Sequence, residues 1–302
     1  MYKFFKEVAI AFVILFLINL IISYLIINPQ VYTPYEKVME NIGSKNFIFS
    51  DSHGWSLTKN NCEGEVLLKE NNIKNLSYGS DSYFDIYFKL NYIINQGIAI
   101  DTIYLSADPH MLGKKRIHNS NKNRSIAYTD FETYTDFFDM SYPEFLTIKY
   151  VMKYFSTFNV NNAQLIQKYF NTILSEKNIF KNQIQNFSDL SKKQREIKSK
   201  ARFLSFYERG PSKKLEIVLQ KILNIALEKN IVVIGLEYPV AQQMKSLKIP
   251  DTMVLPRKIF LNKNLKFLSL TDIDSDIYFE NQDHVNKLGA DIIINRILEI
   301  KP

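Results

Sequence analysis

The chain opens on one long apolar run. Val8 to Ile27 carries no charge. Its roughly 20 residues, at about 1.5 Å each in a helix, span about 30 Å, one hydrocarbon core. From Phe47 onward the pattern changes to short apolar runs alternating with amphipathic stretches. Phe47–Ser50, Ile73–Ser77, Thr102–Ser106, Ile231–Leu236 and Leu265–Leu270 read as strands. Tyr83–Gln96, closed by Gly97, and Lys213–Lys229, opened by Ser212, place their apolar residues on one stripe and read as helices, as does Val285–Ile300. Strand, turn, helix, strand is the rhythm of a parallel sheet, so the pattern predicts an α/β domain with a sheet of about five strands flanked by helices.

Leu112 to Gly210 breaks that rhythm. A basic loop with Lys114, Lys115, Arg116, Lys122 and Arg124 leads into the aromatic, acidic stretch Phe131–Phe138. Tyr142–Phe155, Ala163–Leu174 and Asp189–Arg202 then look helical, with Asn159–Asn162 as a break. This predicts a helical insertion at about 112–210, either a substrate cap or a cover for one face of the sheet. The domain organisation read from the pattern is a short stub with a transmembrane anchor over 1–30, a linker over 31–46 and the α/β domain over 47–302.

The apolar run ends at Asn28-Pro29-Gln30 without an Ala-x-Ala-like site, which favours an uncleaved signal anchor over a cleaved signal peptide. Lys3 and Lys6 place the N-terminus in the cytoplasm and the remainder on the extracytoplasmic, periplasmic side of the cytoplasmic membrane. Asn19 and Ser23 are the polar positions of the run, either a face for a partner helix or simply tolerated.

Composition adds little. With 38 Lys and Arg against 31 Asp and Glu, the formal charge is +7, compatible with an anionic envelope polymer or with an ordinary lysine-rich surface. No P-loop, nucleic-acid motif or zinc-type spacing is present, so no cofactor, metal or nucleic acid is expected. The single cysteine, Cys62, excludes an intramolecular disulfide.

Candidate chemistry sits at the two ends of the domain. After the first strand comes Ser50-Asp51-Ser52-His53-Gly54, small polar residues suited to a sharp turn at a strand's C-terminal end, where open α/β sheets bind ligands. Ser52 is a candidate nucleophile there; the rival reading is a helix N-cap. Near the C-terminus stands Phe279-Glu-Asn-Gln-Asp-His-Val-Asn-Lys-Leu-Gly-Ala290, opening the final helix. Together these blocks resemble the SGNH (GDSL-like) hydrolase and acyltransferase superfamily. Ser50-Asp51-Ser52 matches its Gly-Asp-Ser block with Ser50 at the glycine, and His284-Val-Asn-Lys-Leu-Gly-Ala resembles its closing block. The nearest subgroups are membrane-anchored members that modify cell-surface polysaccharides, including the alginate acetylation and DltD-like proteins. The resemblance implies a flavodoxin-like, SGNH-like fold.

It also implies a Ser-His mechanism. A serine hydroxyl needs an adjacent base, and His284 has the best context of the four histidines, His53, His110, His118 and His284. His53, adjacent to Ser52, is a pocket-wall candidate, and a metal site from His53, His110 and His284 lacks a ligand-spacing signature. The family's triad aspartate falls on Asn281; Asp283 or Asp276 is the alternative carboxylate. An asparagine can hold the ring tautomer but cannot stabilise the imidazolium by charge. Asp283, directly before His284, is expected to point elsewhere. The family's oxyanion donors fall on the backbone of Ser52, on Ser80 with Gly79 beside it, and on Asp108 in Ala107-Asp-Pro-His110. An ionised Asp108 would repel an oxyanion, so it must be protonated, turn away, or do something else such as orient His110; a turn-forming Asp-Pro is the simpler alternative.

The resemblance implies serine-dependent O-acyl transfer, with acetyl the expected group, to or from a cell-surface glycan, the acyl group coming from a membrane-bound O-acyltransferase partner. A carbohydrate esterase using water has the same residues. The third reading is a non-catalytic accessory module that binds glycan or a membrane partner; Asn281 and Asp108 favour it, and Ser52 with His284 opposes it.

Overall fold

A computed structural model describes residues 2–25, 32–59, 61–151 and 186–300. Five strands form one sheet: β1 Asn46–Phe49, β2 Ile73–Asn75, β3 Thr102–Ser106, β4 Val232–Glu237 and β5 Lys266–Ser269. All pair in parallel, in the order β2-β1-β3-β4-β5. That is the flavodoxin-like order, whose switch point lies between β1 and β3. The loops leaving those two strands carry Ser52 and Asp108.

The central strand β3 is buried along its whole length, as a parallel strand covered on both faces must be. The edge strands β2 and β5 are short and only partly buried, which leaves little unpaired backbone for other chains to use. On one face Ile48, Tyr104, Ile234 and Leu236 join a core with Phe279, Ile293, Ile294 and Ile297 of the C-terminal region. Each such side chain contributes on the order of 2 kcal/mol by leaving water. The helix Lys287–Glu299 supplies that face through Ile293, Ile294 and Ile297, all fully buried. The helices Tyr83–Asn95 and Lys213–Glu228 pack on each other, and Leu215, Val218, Leu219 and Ile222 form the buried stripe of the second.

Strand and helix boundaries follow the apolar pattern to within a residue or two, with three informative exceptions. The polar stretch after Trp55 holds a helix, Cys62–Glu70, whose N-cap Asn61 accepts the Gly64 N–H. The expected linker holds another, Thr33–Val38, with Pro34 in its first turn. The charged helix expected at Asp189–Arg202 runs instead over Lys192–Tyr207, because Ser191 and Gln194 form a capping box that sets its start. Between 112 and 210 every described element is helical. The expected helix Ala163–Leu174 and the end of Tyr142–Phe155 lie outside the described residues.

The chain divides into two compact units, Asn41–Thr129 with Gln183–Pro302, and Met1–Glu40 with Asp130–Asn182. The first contains the sheet. In the second, Tyr2–Leu25 is long and apolar enough to cross a membrane. Its large apolar side chains, Phe12, Leu15 and Leu17 among them, are exposed, while Asn19 and Ser23 are buried. The same unit holds an aromatic cluster in which Phe145 packs against Phe131 and Tyr134 at centroid distances of 5.5 and 5.7 Å.

Candidate active site

β1 ends at Phe49 and the chain turns at once. Asp51 caps the one-turn helix Ser52–Trp55, accepting the His53 N–H at 2.9 Å, and Ser50 Oγ accepts the Gly54 N–H at 3.2 Å. The N-cap is therefore Asp51, which leaves the Ser52 hydroxyl out of the capping role. Gly54 is required by close approach: a Cβ there would lie 2.5 Å from both Ser50 Cβ and Ser77 Oγ and 2.9 Å from the Tyr238 hydroxyl. The turn is thus packed tightly onto the ends of β1, β2 and β4.

Ser52 and His284 line one cavity of about 560 Å³, together with Asn281. Trp55, Lys59, Asn61, Asn186 and Glu280 complete much of its wall. Asn281 Oδ1 accepts the backbone N–H groups of Asp283 and His284 at 3.2 and 3.1 Å and faces His284 Nδ1 at 3.0 Å. Two backbone donors fix the amide with its oxygen inward, so Nδ1 must carry the proton. The lone pair then lies on Nε2, which is buried and makes no hydrogen bond among the described residues. Ser52 Oγ is accordingly not hydrogen-bonded to it here; such bonds are often long before substrate binds. Burial pushes the His284 imidazole down to about pKa 4; Asp283 opposes this, and the cations His53 and Arg202 add to it. His284 is a free base at neutral pH.

Asp283 makes no hydrogen bond to that ring, but its Oδ1 lies 3.7 Å from Nδ1. Its Oδ2 accepts Arg202 Nε at 2.7 Å and lies 3.5 Å from His53 Nε2. Burial favours the neutral acid, but His284, His53 and Arg202 hold the carboxyl far below its usual range. Asp276 is elsewhere, paired with Arg195 at 3.0 Å and Gln243 at 2.9 Å.

Behind Ser52 lies a buried charged cluster. His53 Nδ1 is 2.9 Å from Asp108 Oδ2. Burial works against the charged ring, but Asp108 and Asp283 outweigh it and raise the pKa to about 9. His110 Nε2 meets Asp51 Oδ2 at 2.9 Å, and Arg116 pairs with the same carboxylate. Phe206 stacks on the His110 ring at 4.3 Å and 12°. Burial first, then the charge on His53, keep His110 neutral with a pKa near 3. His53, Asp108 and His110 line a second cavity of about 240 Å³, with Phe206, Tyr238 and Met244.

The oxyanion positions are placed as follows. Asp108 accepts at both oxygens, from the Tyr238 N–H at 2.7 Å through Oδ1 and from His53 and Ser106 through Oδ2. Of the options open for it, the geometry has it turned away and orienting a histidine, His53 rather than His110. The Gly79 carbonyl accepts Asn121 Nδ2 at 2.9 Å, and Ser80 adopts a left-handed φ of 71°. Neither glycine nor serine lines the cavity that Ser52 shares with His284.

Two groups offer metal-ligating atoms within 4.8 Å of one another: Asp51, His53, Asp108 and His110, and His53, Asp283 and His284. In each an arginine already pairs with a carboxylate, Arg116 with Asp51 and Arg202 with Asp283. A divalent cation would sit beside a fixed guanidinium, so these donors suit a hydrogen-bond and ion-pair network better than a metal. Sequence reasoning missed both arginines. Arg116 stood in a loop that reads as a solvated basic run, and nothing in the spacing of Arg202 points across the fold to Asp283.

No family model matches the chain, and no curated protein matches it. A solved structure described as a "putative acylhydrolase" from Bacteroides fragilis is similar to it at a TM-score of 0.38 and 11% identity, over 89% of this chain and 94% of that one.

Proposed function

We propose that the protein is a serine-dependent acyl-transfer enzyme in which Ser52 is the nucleophile and His284 its general base, acting on O-acyl groups of a cell-surface glycan. The observation that carries this is the shared cavity: Ser52 and His284 both line it, and Asn281 holds the His284 ring through Nδ1, leaving Nε2 as the basic nitrogen. His284 Nε2 takes the serine proton as Oγ attacks the ester carbonyl. The alcohol leaves with that proton, and the acyl-enzyme passes its group to a glycan hydroxyl or to water. Asn281 fixes the tautomer, as an amide does in Cys-His-Asn proteases. The backbone N–H of Ser52 is the proposed oxyanion donor on this cavity, since Gly79 and Ser80 lie outside its wall.

A glycan as acceptor or donor fits the wall of the cavity. Trp55, tilted against Tyr78 at 4.6 Å with Lys59 Nζ over its ring, stands in that wall beside the hydrogen-bonding side chains of Asn61, Asn186 and Glu280. The N-terminal apolar helix would hold the domain at the extracytoplasmic membrane face, beside a membrane-bound O-acyltransferase that supplies the acyl group. The test is turnover of p-nitrophenyl acetate by the detergent-solubilised full chain, with and without added oligosaccharide. Release of nitrophenol with acylated sugar supports transfer, and release with free acetate alone supports the esterase reading. Equal turnover by wild type and by both Ser52→Ala and His284→Ala would sink the enzyme reading in favour of a glycan-binding accessory module.

A further inference from the structure

His53 is the group that the proposed chemistry does not use, and three loops converge on it. Asp108 comes from the loop after β3, with the His110 ring 4.7 Å away. Asp283 and His284 come from the segment before the closing helix, the latter at a ring distance of 5.6 Å. Tyr238 follows β4, and Phe206, under the Arg202 guanidinium, comes from the helix Lys192–Tyr207. Asp51 accepts the His53 backbone N–H and pairs with His110 and Arg116.

The two ring nitrogens of His53 face two buried carboxylates, Nδ1 towards Asp108 at 2.9 Å and Nε2 towards Asp283 at 3.5 Å. A neutral imidazole donates from one nitrogen only and would turn a lone pair to the other carboxylate. The imidazolium donates from both. At 3.5 Å Nε2 makes no hydrogen bond among the described residues, so Asp283 holds it by charge alone, which the imidazolium offers and the neutral ring does not. We infer that His53 is a positioning residue, a buried imidazolium that clamps Asp108 to Asp283 and thereby holds the Asp283–His284 segment against the Ser52 turn.

This rests on the reading of Ser52 and His284 as nucleophile and base. It explains why Asn281 suffices next to the base: the amide sets the tautomer, while a separate ion pair sets the position of the segment. The same cation, 5.6 Å from the His284 ring, disfavours a second charge there.

The test uses the full chain in detergent micelles, with p-nitrophenyl acetate turnover followed across pH for wild type, His53→Gln, Asp108→Asn and the double variant. A clamp predicts that His53→Gln lowers kcat by on the order of 10²-fold while KM stays within about 3-fold, since small misplacements of a base cost about that much. The acid limb of the pH profile, expected near pH 4 in wild type, moves up. The double variant is no worse than about 2-fold below His53→Gln, because both changes break one unit. Unchanged kcat and pH profile, or fully additive losses, would overturn the clamp. Should His53→Gln not fold, Asp108→Asn carries the same expectations. If Ser52→Ala leaves turnover intact, the function reading has failed instead, and the clamp is judged on thermal melting alone. Wild type must then lose stability between pH 6.5 and 9 and His53→Gln must not; equal losses overturn it.

Discussion

The amide oxygen of Asn281 lies 3.0 Å from His284 Nδ1 and accepts two backbone N–H groups of the same turn. An uncharged group therefore occupies the place where an ion pair would raise the basicity of the histidine. Burial outweighs the opposing charge of Asp283, and His284 titrates near 4. A base with so low a pKa is always ready but weakly driven at neutral pH.

Asn281→Asp keeps the acceptor geometry and adds the charge. We expect the acid limb of kcat/KM to move from near pH 4 towards 6.5, and turnover above that limb to rise by on the order of 10-fold. A pH–rate profile checks both. An unmoved limb would show that another group governs it.

Asp283→Asn tests the neighbouring carboxylate. Its Oδ1 stays 3.7 Å from His284 Nδ1 while its Oδ2 pairs with Arg202 and faces His53. Removing its charge takes the partner of the part-exposed Arg202 and one of the two carboxylates facing the buried His53, and we expect a loss of about 1–3 kcal/mol. Chemical denaturation measures this; a change under about 0.5 kcal/mol would mean that the network is solvated.

Stability should peak near pH 6.5. The His53 pKa is raised in the fold to about 9, so its contribution is complete below 6.5 and is lost as pH rises through 9. His110 and His284 are held neutral, with pKa values lowered to about 3 and about 4. Their contribution is complete above 6.5 and is lost as pH falls through those values. Tm measured from pH 4 to 9 should fall on both sides, and His110→Gln should soften the acid side alone.

Gly54→Ala should destabilise by about 1–3 kcal/mol, because the new methyl meets Ser50 Cβ and Ser77 Oγ at 2.5 Å in a turn that cannot move without shifting β1. A Tm within 1 °C of wild type would show that the turn is looser than its packing implies.

Much of this fold was legible along the chain, because parallel strands must be apolar on both faces. Thr102–Ser106 and Val232–Glu237 stood out for that reason, and the Gly97 and Ser212 signals bounded helices correctly. Short edge elements were less so: β2 and β5 are partly exposed, and the helix Cys62–Glu70 depends on the Asn61 cap more than on an apolar stripe. The candidates Ser52 and His284, which line one cavity, were named from blocks that are local. The links from His53 to Asp108 and Asp283, and from Arg202 to Asp283, join positions far apart in sequence through side-chain contacts that leave no local pattern.

The most direct measurement of the central claim is covalent. The full chain in detergent is incubated with a fluorophosphonate, which labels activated serines, and the adduct is located by peptide mass spectrometry. The account predicts stoichiometric labelling at Ser52, lost in Ser52→Ala and slowed by at least about 10²-fold in His284→Ala. Intact Ser52 in a folded chain after prolonged exposure, or labelling as fast in His284→Ala as in wild type, would contradict it.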